Sequence, residues 1–183
     1  LHLLSRRQRQ MCIRDRCMID HIPELMNAGI SSLKIEGRNK SEYYVALVVN
    51  AYRKAIDLYY ENPEEYKLPK EIKEELYKVS HREYYTGFFF NEPKSEGLIY
   101  NTNFHVRDYD VVAIVLDYDK ETGIATCRQR NKFVLGDKVE VLSPTEMGKE
   151  FVVSELYNED GEKVEGCPHP GMICNCLLYT SPS

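Results

Sequence analysis

No stretch of the chain approaches the roughly 18 consecutive apolar residues that a membrane helix needs, which excludes a helical span. The first residues lack the apolar core of a secretory leader. Six cysteines among 183 residues are too few for a secreted disulfide scaffold. A Gly-rich phosphate loop, a G-x-S-x-G elbow and an H-E-x-x-H pair are all missing, so neither a serine hydrolase nor a zincin gains support. There is no internal repeat and no low-complexity tract. What is present is ordinary for a globular chain: 43% hydrophobic and 29% charged residues, with 14 Tyr and 6 Phe to fill a core and exclude intrinsic disorder. The length suits one full domain or two small ones, and the expectation is a reduced, cytoplasmic protein.

The net charge of −5 is unevenly spread. Residues 1–16 carry five arginines (Arg6, Arg7, Arg9, Arg14 and Arg16) against Asp15, a net of +4, and the rest carries −9. A basic arm on an acidic body would ordinarily read as a nucleic-acid or membrane tether. The run from Arg6 to Arg16, however, has neither helical nor strand periodicity. It resembles the in-frame translation of a transposon sequencing adapter, and the tail Cys176–Ser183 resembles the reverse complement of that adapter family. Residues 1–16 and 176–183 are therefore expected to be adapter artefact that packs poorly, on a gene fragment cut at both ends.

Between those ends, Ile19–Ala28 reads as a short helix, with Asp20 as its cap and Gly29 as its left-handed stop. Ser31–Gly37 reads as a strand. A long helix follows from Ser41 to about Glu61, carrying Tyr44, Val48, Ala51, Tyr52, Ala55 and Tyr59 on one face, widened by Val45, Val49 and Ile56. Helix, strand and helix over residues 17–62 predict the last part of a TIM-like α/β barrel. Residues 63–107 read as a connector with a short helix over Glu71–Ser80. From 108 to 175, runs at Val111–Asp117, Ile124–Gln129, Lys138–Leu142 and Phe151–Tyr157 predict a small β-barrel domain, with Asp119–Gly123 as a hairpin loop. The fold class expected is α/β plus β.

The densest polar cluster follows the predicted strand: Glu36, Arg38 and Lys40. Catalytic faces of α/β barrels lie where strands end. Glu36 suits a general base or a substrate hydroxyl, and Arg38 and Lys40 suit a carboxylate or phosphate; a structural ion pair at a strand mouth is the other reading. Cys17 precedes a predicted helix start, where a thiol pKa falls. Cys167 and Cys174, with His169 between them, fit no zinc spacing and read as structural, and Cys127 reads as core. His21, His81 and His105 have no companions at ligand spacing.

The run Cys17–Leu25, followed by Gly29, Leu33–Arg38, Lys40–Ser41 and Tyr43–Tyr44, resembles the peptidase U32 family. Ser80–Arg82, Thr86–Phe88 and Arg107–Tyr109 resemble its connector, and Gln129–Phe133, Gly136–Asp137 and Pro168–Pro170 its C-terminal β-barrel domain. The resemblance covers nearly all of residues 17–174. It implies either a collagenase-like peptidase or, as first choice, an RNA hydroxylation enzyme that acts on a tRNA wobble uridine or an rRNA cytidine with prephenate as co-substrate. Other members hold a [4Fe–4S] cluster on four cysteines, and Cys17 matches the last of these. The other three ligands would lie upstream, so this chain alone is expected to bind no cluster and to be inactive. The implied partners are tRNA or rRNA and a possible partner U32 subunit, with no membrane. A third reading is a nucleic-acid or protein docking module formed by the C-terminal barrel.

Overall fold

The structure, a computed structural model, describes residues 14–91, 109–144 and 148–178. The chain divides into two compact units between Asp108 and Tyr109.

In the first unit, strand β1 (Asp15–Arg16) pairs in parallel with β2 (Tyr84–Tyr85). A single 3₁₀ turn (Ile19–His21) leads into helix α1 (Ile22–Asn27). Asp20 does not cap it, because its carboxylate is held 2.7 Å from Lys73 Nζ, a partner 53 residues away that local sequence cannot show. Gly29 ends the helix at φ 72°, a left-handed stop. Helix α2 (Glu42–Glu61) is capped by Ser41, whose Oγ accepts the Tyr44 N–H at 3.2 Å. Leu47, Val48, Ala51, Ala55 and Tyr59 are buried on one face, and the Tyr59 hydroxyl donates to Asn27 Oδ1. Val45 and Val49, expected to widen that face, remain exposed. Helix α3 (Lys70–Tyr77) buries Ile72 and Leu76, and Ile19, Ile22, Leu25 and Val79 are buried in the same unit.

The expected strand over 31–37 is not one. Leu33, Ile35 and Gly37 are half-buried while Lys34 and Glu36 are exposed, so the period of two survives. No described strand pairs with it, and a strand exists only with a neighbour. The segment lies against α2 as unpaired extended chain. Among the described residues of this unit, the one sheet is the two-stranded β1–β2 pair. The described residues of this unit close no α/β barrel.

The second unit is antiparallel. Strands β3 (Ala113–Tyr118), β4 (Ile124–Gln129), β10 (Ile173–Leu177) and β8 (Leu156–Tyr157) form a sheet in that order. Two ribbons accompany it: β5 (Phe133–Val134) with β9 (Gly166–Cys167), and β6 (Lys138–Val141) with β7 (Lys149–Val152). The core gathers Ala125, Cys127, Phe133, Val153, Leu156, Cys167, Cys174 and Cys176. Among the described residues these pairings form an open sheet with two flanking ribbons, without closing the expected barrel.

Poor packing at the ends is also corrected, for the residues described. Arg14 pairs with Glu83 at 2.7 Å, and the Asp15 carboxylate accepts the Arg82 N–H at 3.0 Å. Cys176 is buried and Leu177 pairs with Ile124. Strand pairing uses backbone groups common to every residue, so an unpatterned sequence does not forbid it. Residues 1–13 and 179–183 lie outside the described residues.

Candidate functional site

Cys17 sits immediately after β1, with its N–H held by the Tyr85 carbonyl at 2.9 Å. That parallel pairing aims it at α2. The Tyr52 hydroxyl lies 3.6 Å from Cys17 Sγ and accepts the Met18 N–H at 2.8 Å. The hydroxyl is thus fixed from one side, and in its contact with the sulfur either atom can donate. Burial, followed by the charge Cys17 would carry as thiolate, pushes the Tyr52 phenol well above its ordinary pKa. Tyr84 is raised by the same two causes, and Tyr44 by burial and then the neighbouring Asp15 and Cys17. All three phenols are neutral through the physiological range.

The thiol opens into a cleft of about 230 Å³. The Lys73–Asp20 ion pair, Tyr77 and Tyr84 are among the groups that line it. The carboxylate of Asp20 raises the Lys73 pKa through its hydrogen bond. Behind the aromatic wall, His81 stacks on Tyr84 at 4.4 Å and meets Tyr77 edge-on at 5.1 Å. His81 Nδ1 is 2.7 Å from the Arg82 carbonyl, which can only accept, so Nδ1 carries a proton and donates it. Nε2 is buried without a hydrogen-bond partner among the described residues. Spacing in the sequence gives His81 no companion, because its contacts are rings from a helix and a strand rather than neighbouring ligands.

The sequence-predicted residues do not converge. The Glu36 carboxylate turns back to accept the Arg38 N–H at 3.0 Å, and both side chains are exposed. Arg38 forms no ion pair among the described residues. Lys40 leaves them: its ammonium donates to the Ser80 carbonyl at 3.0 Å and lies 5.0 Å over the Tyr44 ring. The turn is set close to α2 by Gly37, where a Cβ would stand 2.7 Å from Val45 Cγ2. His105 lies outside the described residues.

Cys17 also differs from its expected setting, since α1 begins only at Ile22 and one 3₁₀ turn intervenes. A cubane cluster is held by four thiolates. Cys17 is the one cysteine among the described residues of the first unit, and no described group of three or more His, Cys, Asp or Glu could hold a metal ion. These residues do not fit a whole cluster. The thiols of the second unit serve its core: burial raises Cys127 to about 12, Cys176 to about 11, and Cys167 and Cys174 likewise upward.

Residues 3–98 match the profile of peptidase family U32, and residues 107–180 that of the peptidase family U32 C-terminal domain. Both matches run into the ends that the adapter reading sets aside. A Bacillus subtilis protein named tRNA hydroxylation protein P1 is 40% identical over 168 residues, covering 92% of this chain and 40% of its own length. A Methanocaldococcus jannaschii protein named as an uncharacterized protease is 34% identical over 170 residues, covering 90% of this chain and 41% of its own. The crystal structure of the C-terminal domain of a Geobacillus thermoleovorans U32 peptidase, as its selenomethionine variant, shares 36% identity over 39% of this chain and 88% of that one, with a TM-score of 0.38. The chain thus spans about two fifths of the length of these two curated relatives. No helix among the described residues is long and apolar enough to cross a membrane.

Proposed function

The chain belongs to peptidase family U32, and from that membership we propose that it is the C-terminal part of an RNA hydroxylation enzyme acting on a tRNA wobble uridine in the cytoplasm, with prephenate as co-substrate. The support from similarity is the Bacillus subtilis relative named for tRNA hydroxylation, which aligns over 92% of the chain and therefore over both units.

The observation that favours this over a peptidase is the partner of Cys17. An attacking thiol needs a base that removes its proton. Here the partner is a phenol whose own proton burial holds more tightly than usual. That arrangement suits a thiol kept for ligation, and we assign Cys17 as one thiolate of a [4Fe–4S] cluster whose other ligands come from outside this chain. The unpaired extended segment at 31–37 is, on this reading, a strand of a TIM-like barrel. Its neighbours would come from the length the relatives have in addition. Arg38 at its end would face an anionic group of the nucleotide or of prephenate, with Glu36 holding the turn through its bond to the Arg38 N–H.

Deleting the corresponding full-length gene and comparing tRNA and rRNA nucleosides by mass spectrometry tests the reading. The expected result is loss of a hydroxylated wobble uridine from tRNA, with rRNA nucleosides unchanged. Unchanged tRNA nucleosides overturn it, and a loss confined to rRNA moves the substrate to the ribosome.

A further inference from the structure

The second unit carries thirteen acidic and seven basic side chains, a net of −6, yet three of the seven basic residues fall within Arg128–Lys132. No acidic residue lies between Glu121 and Asp137. Arg128, Arg130, Asn131 and Lys132 are all exposed, while the residues on either side of the turn, Gln129 and Phe133, are buried.

The turn is held on three sides. The N–H groups of Arg130 and Asn131 both donate to the Val112 carbonyl, at 2.8 and 3.1 Å, and Asn131 Nδ2 donates to the Val111 carbonyl at 2.8 Å. Gln129 Nε2 donates to the Cys167 carbonyl at 3.1 Å, while the Gln129 main chain bonds both Gly171 and Met172. The second loop, Pro168–Gly171, is thereby fastened beside the first and presents an exposed His169. Asp137, the nearest acid downstream, is turned onto the Val134 N–H at 2.8 Å. Arg128 and Lys132 form no ion pair among the described residues.

We propose that the end of β4 with its following turn, 128–132, and the loop 168–171 form a docking platform for tRNA, with Arg128 and Lys132 on backbone phosphates and the His169 ring stacked on an unpaired base. Cations beside a ring are what single-stranded RNA recognition uses. The two cations lie within about 13 Å along the chain, so they address neighbouring phosphates of one strand. A body of net −6 repels RNA elsewhere, so contact is confined to this platform rather than spread over a basic face. The proposal rests on the tRNA reading above and gives that reading a place of contact.

The test is fluorescence anisotropy of labelled tRNA titrated with the 183-residue chain over a range of KCl concentrations. The variants are R128E/K132E, H169A and, as control, K120E at the opposite end of the β3–β4 hairpin. The double variant should bind at least about tenfold more weakly at low salt, with the log–log salt slope smaller by about two. H169A should lose several-fold with the slope unchanged, and K120E should stay within about twofold. Circular dichroism of each variant should match the parent, since every altered side chain is exposed. If the parent chain binds tRNA and R128E/K132E binds it equally well, the platform is wrong while the hydroxylation reading stands. If the parent chain binds no tRNA although the deletion strain lacks the hydroxylated nucleoside, the platform again fails alone. An unaltered nucleoside profile in that strain removes the reading itself.

Discussion

Tyr52 serves two polar groups at once, accepting from Met18 N–H and facing Cys17 Sγ. Tyr52→Phe keeps the ring and strands the partly buried Met18 N–H, so it should cost about 1–3 kcal/mol in urea unfolding. It should also raise the rate at which iodoacetamide modifies Cys17, read by peptide mass spectrometry. A variant with parental stability and parental Cys17 reactivity would show that the hydroxyl does not hold the thiol. The thiols of the second unit behave in the opposite way. Burial raises Cys127 to about 12 and Cys176 to about 11 from an ordinary 9.0. The folded state therefore favours the neutral thiol. The stability this contributes is complete below about pH 9, where the unfolded thiols are also neutral, and is lost as pH rises from there toward 12. The melting temperature of the second unit should fall across that interval, and replacing Cys127 by Ala should flatten the fall.

Among the elements, α2 shows how closely sequence and local structure can agree. Its start at Ser41 and its buried face through Val48, Ala51, Ala55 and Tyr59 follow from a cap and a 3.6-residue period, both local properties. Ser41→Ala should cost about 1 kcal/mol by thermal or urea unfolding, since the Tyr44 N–H loses its acceptor. Gly37→Ala should be destabilising because the new Cβ meets Val45 Cγ2 at 2.7 Å, and Val45→Ala in the same chain should recover most of the loss. Recovery by Val45→Ala would separate steric crowding from a backbone requirement. The β3–β4 hairpin was equally legible, because Asp119 and Gly123 mark its turn. The two-residue strands β5, β8 and β9 were not, since two residues carry no period. Ser31–Gly37 keeps the alternation of a strand but lacks the partner that makes one, and pairing is a property of two segments.

At the scale of the whole molecule, what escaped the sequence is what depends on distant contacts. Asp20 reads as a cap but pairs with Lys73, Lys40 reads as a ligand-binding cation but is taken by the Ser80 carbonyl, and His81 joins Tyr77 and Tyr84 only after folding. Glu36 and Arg38 could be named because they follow an alternating run, yet their environment depends on the neighbours of that run. The cleft at Cys17 needed β1, α2, α3 and β2 together. The most direct measurement is complementation in a Bacillus subtilis strain that lacks its own tRNA hydroxylation proteins, supplied with the full-length gene that encodes this chain. Hydroxylated wobble uridine, quantified by mass spectrometry of digested tRNA, should return with the parent gene and stay absent with Cys17→Ser, while both proteins accumulate equally. Restoration by the Cys17→Ser gene would contradict the role given to Cys17. No restoration by the stably expressed parent gene would contradict tRNA hydroxylation itself.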